Sequence, residues 1–244
     1  MNSMFELLME LPLFRGVTYE RMSQTVGEAK FHFLKYPAGE TVINAGDKCT
    51  HITFVISGSV RSTIVNSNGR FAVGQTITAP GVIAPDFLFG KLTTFPGTVT
   101  ALEPTGILKI SKNDYIKILY SDPVFMFNFL NTLSVNAQKA LEGIMSLTTG
   151  DIEERIAFWI IALTQPGSKD IKLTCRSRDL CSLFGVPRSF FFNSLESMKE
   201  RGLIDYSNTE LSILNRRDML ELLHKNSEGP DDDEGSLPDF PPLE

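Results

Sequence analysis

The sequence predicts an α+β fold in three successive parts: a short-stranded β-barrel or sandwich, a long amphipathic helix, and a winged helix-turn-helix. Three observations predict it. From Phe31 to about Ile110, short β-rich runs alternate with turn signals at close spacing. From Phe127 to Thr148, apolar residues recur near a heptad stripe. From Leu173 to Ile204, two helical stretches flank a glycine and lead through Gly202-Leu203-Ile204 into a strand.

The elements follow in order. Residues Phe5 to Glu28 read as short helices, because Leu7, Leu8, Leu11 and Phe14 have helical spacing broken by Pro12 and Gly16. Strand runs are expected at Phe31–Leu34, Glu40–Ile43, His51–Ile56, Val60–Val65, Phe71–Val73, Gly97–Leu102 and Gly106–Ile110. Pro37-Ala38-Gly39, Ala45-Gly46-Asp47, Ser57-Gly58 and Asn66 to Gly69 separate the first of these, and Asn68-Gly69 signals a hairpin because both residues tolerate positive φ. A helical region follows, with Pro123 near its start. Leu130, Ala137, Leu141, Ile144 and Thr148 form the stripe, Ser134 is its polar member, and Phe127 and Leu133 widen it. A helix this apolar needs a partner; its own barrel and a second copy are expected on opposite faces. Asp151 begins the next helix as an N-cap with Glu154 three residues on, as in a capping box. Ile156, Trp159, Ile160 and Leu163 give that helix an apolar face, and Pro166-Gly167 stops it. The expected parts are a sensor barrel at 1–120, a dimerisation helix at 121–149, a winged helix-turn-helix at 150–226 and a disordered acidic tail at 227–244.

Composition excludes several classes. Apolar residues make up 42% of the 244, enough for a sizeable core. Cys49, Cys175 and Cys181 form no C-x-x-C pair, which argues against a disulfide framework and for a reducing, cytoplasmic compartment. No apolar run approaches the roughly 20 residues of a membrane span, so no membrane partner is expected. The net charge of −6 belongs to the tail: without residues 227–244 the chain carries 23 basic and 22 acidic residues. No Ser/His/Asp set, paired carboxylates, Walker loop or metal-ligand cluster is visible, so no catalytic residue and no metal ligand are named, and the chain reads as no enzyme.

The segment from Leu173 to Ile204 carries the chemistry. Ser177 is expected to cap a first helix with Leu180, Cys181 and Phe184 buried. Gly185 permits the sharp turn, Val186 plugs it, and Pro187 starts a second helix. Phe191, Leu195 and Met198 then face the core. Leu211 to Leu214 completes a wing. The second helix of such a unit docks in the major groove of double-stranded DNA by its N-terminal part, where Arg188, Ser189, Phe192 and Asn193 point outward. Arg reads guanine and Asn reads adenine bidentately. Residues 169–201 hold seven basic and four acidic residues, a footprint for phosphate.

On these residues the chain resembles the cAMP receptor protein/FNR (Crp/Fnr) family of bacterial transcription regulators, from about Leu11 to Leu223. The barrel run that carries the resemblance is Tyr36-Pro37-Ala38-Gly39-Glu40-Thr41-Val42-Ile43, Ala45-Gly46-Asp47 and Phe54-Val55-Ile56-Ser57-Gly58-Ser59-Val60. It implies a cyclic-nucleotide-binding-type barrel of the double-stranded β-helix or jelly-roll kind. It also implies a homodimer through residues 123–148, a near-palindromic operator, and RNA polymerase as a further partner. Carried over by position, Arg188, Ser189 and Asn193 read bases, and Arg176, Ser177 and Arg178 contact phosphate, with Lys199 and Arg201 nearby.

The departures concern the effector. Where the family's cAMP binders place a Gly-Glu and a later Arg-Ser, this chain offers Pro85-Asp86 and Phe95-Pro96, and the helix positions that meet adenine are Ala140 and Leu141. A buried phosphate without its cation is expensive, which disfavours cAMP. The expected effector pocket comprises Arg61, Asp86, Phe95, Ala140 and Leu141. Three scattered cysteines do not make an iron–sulfur site, and His32 and His51 read as structural rather than haem ligands. No cofactor is identified. The alternative is a ligand-binding or protein-interaction module of the same fold with weak or lost DNA binding.

Overall fold

A computed structural model describes residues 4–145, 147 and 150–224. The acidic tail, Thr148 of the expected stripe and Thr149 of the expected boundary lie outside the described residues.

Two short helices, α1 (Met4–Glu10) and α2 (Tyr19–Glu28), precede eight strands: β1 (Phe31–Tyr36), β2 (Thr41–Ile43), β3 (His51–Ser57), β4 (Ser59–Val65), β5 (Ala72–Thr78), β6 (Gly81–Ile83), β7 (Gly97–Ala101) and β8 (Thr105–Ser111). They pair antiparallel as β1-β8-β3-β6 and β5-β4-β7-β2. Two facing four-stranded sheets in this order make a jelly roll. Phe14 from the N-terminal segment, Phe54 from β3 and Phe125 meet edge-on inside it, 5.6 and 5.5 Å between ring centroids. Asn66 closes the β4–β5 hairpin by accepting from the backbone amides of Arg70 and Phe71.

Helices α3 (Lys112–Ser121) and α4 (Pro123–Met145) follow, then α5 (Ile152–Ala162). Phe125 and Phe129 bury one side of α4 against the barrel. The expected stripe is divided: Phe127, Leu130, Leu141 and Ile144 are exposed, whereas Leu133 packs against the barrel core. Asp151 caps α5 and forms the capping box with Glu154. Helix α5 runs back along α4, so closely that a Cβ at Gly143 would overlap that of Ala162.

The last elements are β9 (Lys169–Thr174), α6 (Ser177–Phe184), α7 (Arg188–Glu200), β10 (Ile204–Tyr206), β11 (Glu210–Ile213) and α8 (Arg216–His224). Gly185, at φ +64°, makes the turn between α6 and α7 in the left-handed conformation that favours glycine. Three details differ from the sequence reading. Ser177 caps nothing; it is buried and its hydroxyl donates to the Ser207 and Asn208 carbonyls. Pro187 stands just before α7 rather than inside it. Strand β9 was not anticipated, and it joins the two halves: one edge pairs with β11 and the other with barrel strand β5, through Ala72↔Thr174, Val73↔Leu173 and Gly74↔Lys172. Val73 of the barrel thus belongs to the C-terminal core with Ile156, Leu173, Phe184 and Phe191.

The close α4–α5 approach is testable. A helical glycine changed to alanine gains about 1 kcal/mol of helix propensity, whereas overpacking costs about 1–3 kcal/mol. Gly143→Ala should therefore lower stability in urea unfolding, while Gly27→Ala, whose added Cβ meets nothing within 4 Å on α2, should raise it.

Candidate functional site

Helix α7 presents Arg188, Ser189 and Asn193 to solvent and buries Phe191, Leu195 and Met198 on its other side. Phe184 of α6 stacks behind Phe191 at 5.9 Å and fixes the helix from below. Phe192 is half-buried between Phe191 and Tyr206, and the Arg188 guanidinium lies 5.4 Å from its ring centroid. Phe190 is exposed. Around this face the predicted phosphate cations are exposed and mostly in surface ion pairs: Arg176 with Asp179 at 2.9 Å, Lys199 with Asp205 at 2.9 Å and Arg201 with Glu153 at 2.5 Å. Arg178 is exposed as well. The first two pairs are solvent-exposed and therefore weak, whereas the Glu153 carboxylate is largely buried. Ser177, by contrast, is held inside by the carbonyls of Ser207 and Asn208.

The second feature is a cavity of about 520 Å³ where the barrel, α4 and the segment between α5 and β9 meet. Ser62, Ile64, Gln75, Asp86 and Phe87 line it from the barrel, Leu133, Asn136, Lys139 and Ala140 from α4, and Thr164 and Gln165 from the linker. Of the five expected pocket residues, Asp86 and Ala140 line this cavity. Phe95 is buried in the barrel core and Leu141 is exposed on the far side of α4. Arg61 is drawn to the β5–β9 seam, where Nη1 donates to the Asp170 carbonyl at 2.5 Å and Thr76 Oγ1 at 3.4 Å.

The cation of the cavity is Lys139, which the sequence reading missed. Its Nζ donates to the Thr164 carbonyl at 2.9 Å. Among the described residues no carboxylate lies within ion-pair distance of it; Asp86 receives both its bonds from Asn136 Nδ2, at 2.9 and 3.0 Å. Burial, with Arg216 nearby, pulls the Lys139 ammonium down to about 8. Arg216 Nη1 donates to Thr164 Oγ1 at 2.6 Å. The Gln165 amide N–H donates to Gln75 Oε1 at 2.7 Å, so the linker is pinned on three sides. One signal was available in the sequence: Lys139 is the only basic residue in the 23 of α4.

The thiols lie apart from the cavity. Cys49 sits in the barrel and Cys175 and Cys181 in the C-terminal part, all buried. Burial raises all three, Cys175 to about 11. His32 and His51 face each other at 6.3 Å and line no part of the cavity.

Lys139 gives a pH signature. Its folded value, about 8, lies below the ordinary 10.5. Between these values the unfolded chain binds the extra proton, so this group adds stability as pH rises through the window. Cys175 acts oppositely above about pH 9. The difference between wild type and Lys139→Met isolates the lysine: the wild type should gain on the variant in urea midpoint from pH 8 to 10, and parallel profiles would refute the burial.

Residues 33–122 match the cyclic nucleotide-binding domain family. The cAMP-activated global transcriptional regulator Vfr of Pseudomonas aeruginosa is 23% identical over 205 residues, covering 78% of this chain and 92% of Vfr. The cAMP-activated global transcriptional regulator CRP of Haemophilus influenzae is 23% identical over 180 residues, 71% of this chain and 80% of that protein. The solved catabolite activator protein of Thermus thermophilus aligns at 20% identity and TM-score 0.48, over 87% of this chain and 98% of that one. Among the described residues no helix is long and apolar enough to cross a membrane. Residues 33–122 thus match the cyclic nucleotide-binding domain family, and over 71–78% of its length the chain is similar to cAMP-activated global transcriptional regulators.

Proposed function

We propose that the chain is a dimeric, DNA-binding transcription regulator that acts in the cytoplasm with RNA polymerase and answers to an effector other than cAMP. The observation that carries the reading is the face of α7: Arg188, Ser189 and Asn193 stand exposed at its start while Phe191, Leu195 and Met198 anchor it. This is the geometry of a helix that enters the major groove by its N-terminal turns. In this reading residues 1–120 sense, 121–149 dimerise, 150–226 read DNA, and 227–244 form the tail. Arg176, Arg178, Lys199 and Arg201 take phosphates. The exposed Phe127, Leu130, Leu141 and Ile144 form the self-association face. The reading against cAMP draws support from Arg61, which is engaged at the seam, and from a cavity whose lysine comes from α4.

Selection of bound fragments from random DNA, followed by gel retardation, tests it. A near-palindrome with half-sites about 34 Å apart is expected. Arg188→Ala and Asn193→Ala should each weaken the selected site by about 1–3 kcal/mol and relax one base position. Arg178→Ala should weaken all sequences alike and reduce the salt slope by about one. Enrichment of no sequence would refute the reading and favour a ligand-binding module of the same fold. Leu141→Glu with Ile144→Glu should convert the dimer to a monomer in sedimentation; a wild-type chain that is itself monomeric at working concentration refutes the dimer.

A further inference from the structure

We infer that Phe192 is a positioning residue that holds Arg188 ready to read a guanine. The inference rests on the reading of α7 as the helix that enters DNA, and adds to it a specificity-determining side chain and the base it serves.

Arg188 differs from its neighbours in what holds it. Arg176 gives Nε and Nη2 to the Asp179 carboxylate, and Arg201 gives Nη1 to Glu153. None of the ion pairs among the described residues includes Arg188. Its exposed guanidinium lies instead over the Phe192 ring, 5.4 Å from the centroid. The two arrangements have opposite consequences. A carboxylate occupies the N–H donors that a base would need. An aromatic ring attracts the cation through the flat face of the guanidinium and leaves its edge, where the donors point, free. Guanine is read by that edge, with two N–H groups meeting O6 and N7.

The ring is itself held. Residues 188 and 192 are one helical turn apart, so their side chains share a flank of α7. Phe192 meets the buried Phe191 edge-on at 5.9 Å and Tyr206 of β10 at 6.2 Å. Tyr206 is fixed in turn: its hydroxyl donates to Glu196 Oε2 at 2.8 Å, and the Lys199 ammonium lies 5.6 Å from its ring centroid. These contacts leave Phe192 half-buried, a seated platform on an otherwise exposed face. Arginine is among the costliest side chains to order. Laying it on a seated ring before DNA arrives removes part of that cost from the binding step. An aliphatic residue of similar bulk at 192 would fill the space and offer no such face.

The test uses the full chain and the sequence selected from random DNA. Arg188→Ala first identifies the guanine, as the position at which base preference relaxes. Discrimination there is the ratio of dissociation constants for adenine, which presents a donor in place of O6, against guanine. Phe192→Leu should cut this ratio roughly two- to fivefold, and Phe192→Tyr, which keeps the ring face, should retain it. In the Arg188→Ala chain, Phe192→Leu should leave the ratio where it stands. A role in packing alone would lower the urea midpoint and weaken every sequence alike. Should Phe192→Leu fail to fold, Phe192→Met carries the same comparison. An unchanged ratio in the folded variant, an equal loss at every sequence, an equal loss with Phe192→Tyr, or a loss that persists without Arg188 overturns the inference. A selected sequence in which Arg188→Ala relaxes no guanine also overturns it and leaves the regulator reading standing. Enrichment of no sequence overturns both.

Discussion

Strand β9 has two edges and both are taken, and the arrangement of the molecule depends on that. An edge strand leaves a row of backbone donors and acceptors that must find partners. Here β11 supplies them on one side and β5 on the other. The jelly roll therefore does not end at its own fourth strand; its sheet continues through β9 and β11 to β10. The consequences reach the side chains. Arg61 leans across the seam to the Asp170 carbonyl. It packs over Gly74 so tightly that an added Cβ would come within 2.6 Å of the guanidinium. Phe71 at the end of the hairpin meets Trp159 of α5 at 5.5 Å. A barrel strand, a helix and a hairpin thus share one core, and none can shift without disturbing the others.

The barrel was legible in the sequence because its turns are chemically distinct. Asn66 to Gly69 and Ser57-Gly58 punctuate runs whose alternation is plain, and Asp151 with Glu154 announces the start of α5. The same logic failed at β9. Lys169–Thr174 has only Ile171 and Leu173 as apolar positions, and its partners lie about a hundred residues away at Ala72–Thr76. No local pattern reveals such a pairing. Ser177 misled for a related reason. A serine opening a helix reads as a cap, but the turn before β11 supplies carbonyls that occupy its hydroxyl. On α4 the reading pointed at Ala140 and Leu141. The cation is Lys139, one residue away, which on a helix is about 100° of rotation. Both Lys139 and Ala140 line the cavity, and Leu141, a further residue on, is exposed.

The charges fall into two populations. Around α7 two of the basic residues carry exposed partners, Asp179 and Asp205, and Arg201 reaches the largely buried Glu153. Exposed pairs are weak and screened by salt, so they hold the cations in place without committing them. Inside, Lys139 and Arg216 converge on Thr164, and among the described residues neither has a carboxylate within ion-pair distance. Burial lowers both from their ordinary values, because a charge taken from water into a site of neutral acceptors is held at a cost. The cost is local to the joint between barrel and C-terminal part.

Helix α4 carries both sides of that joint. Lys139 and Leu141 are two residues apart, about 200° around the axis, so these two side chains lie on nearly opposite faces of one helix, while Leu133 and Ala137 of the stripe line the cavity with Lys139. Phe125 and Phe129 fix its N-terminal half to the barrel, while Gly143 lets α5 close onto its C-terminal half. A packed helix moves as a body rather than by bending at one side chain. A shift that carries Lys139 away from Thr164 must carry Leu141 and Ile144 with it. The cavity and the apolar stripe are thus linked by the stiffness of a single element, without any further chain of contacts between them.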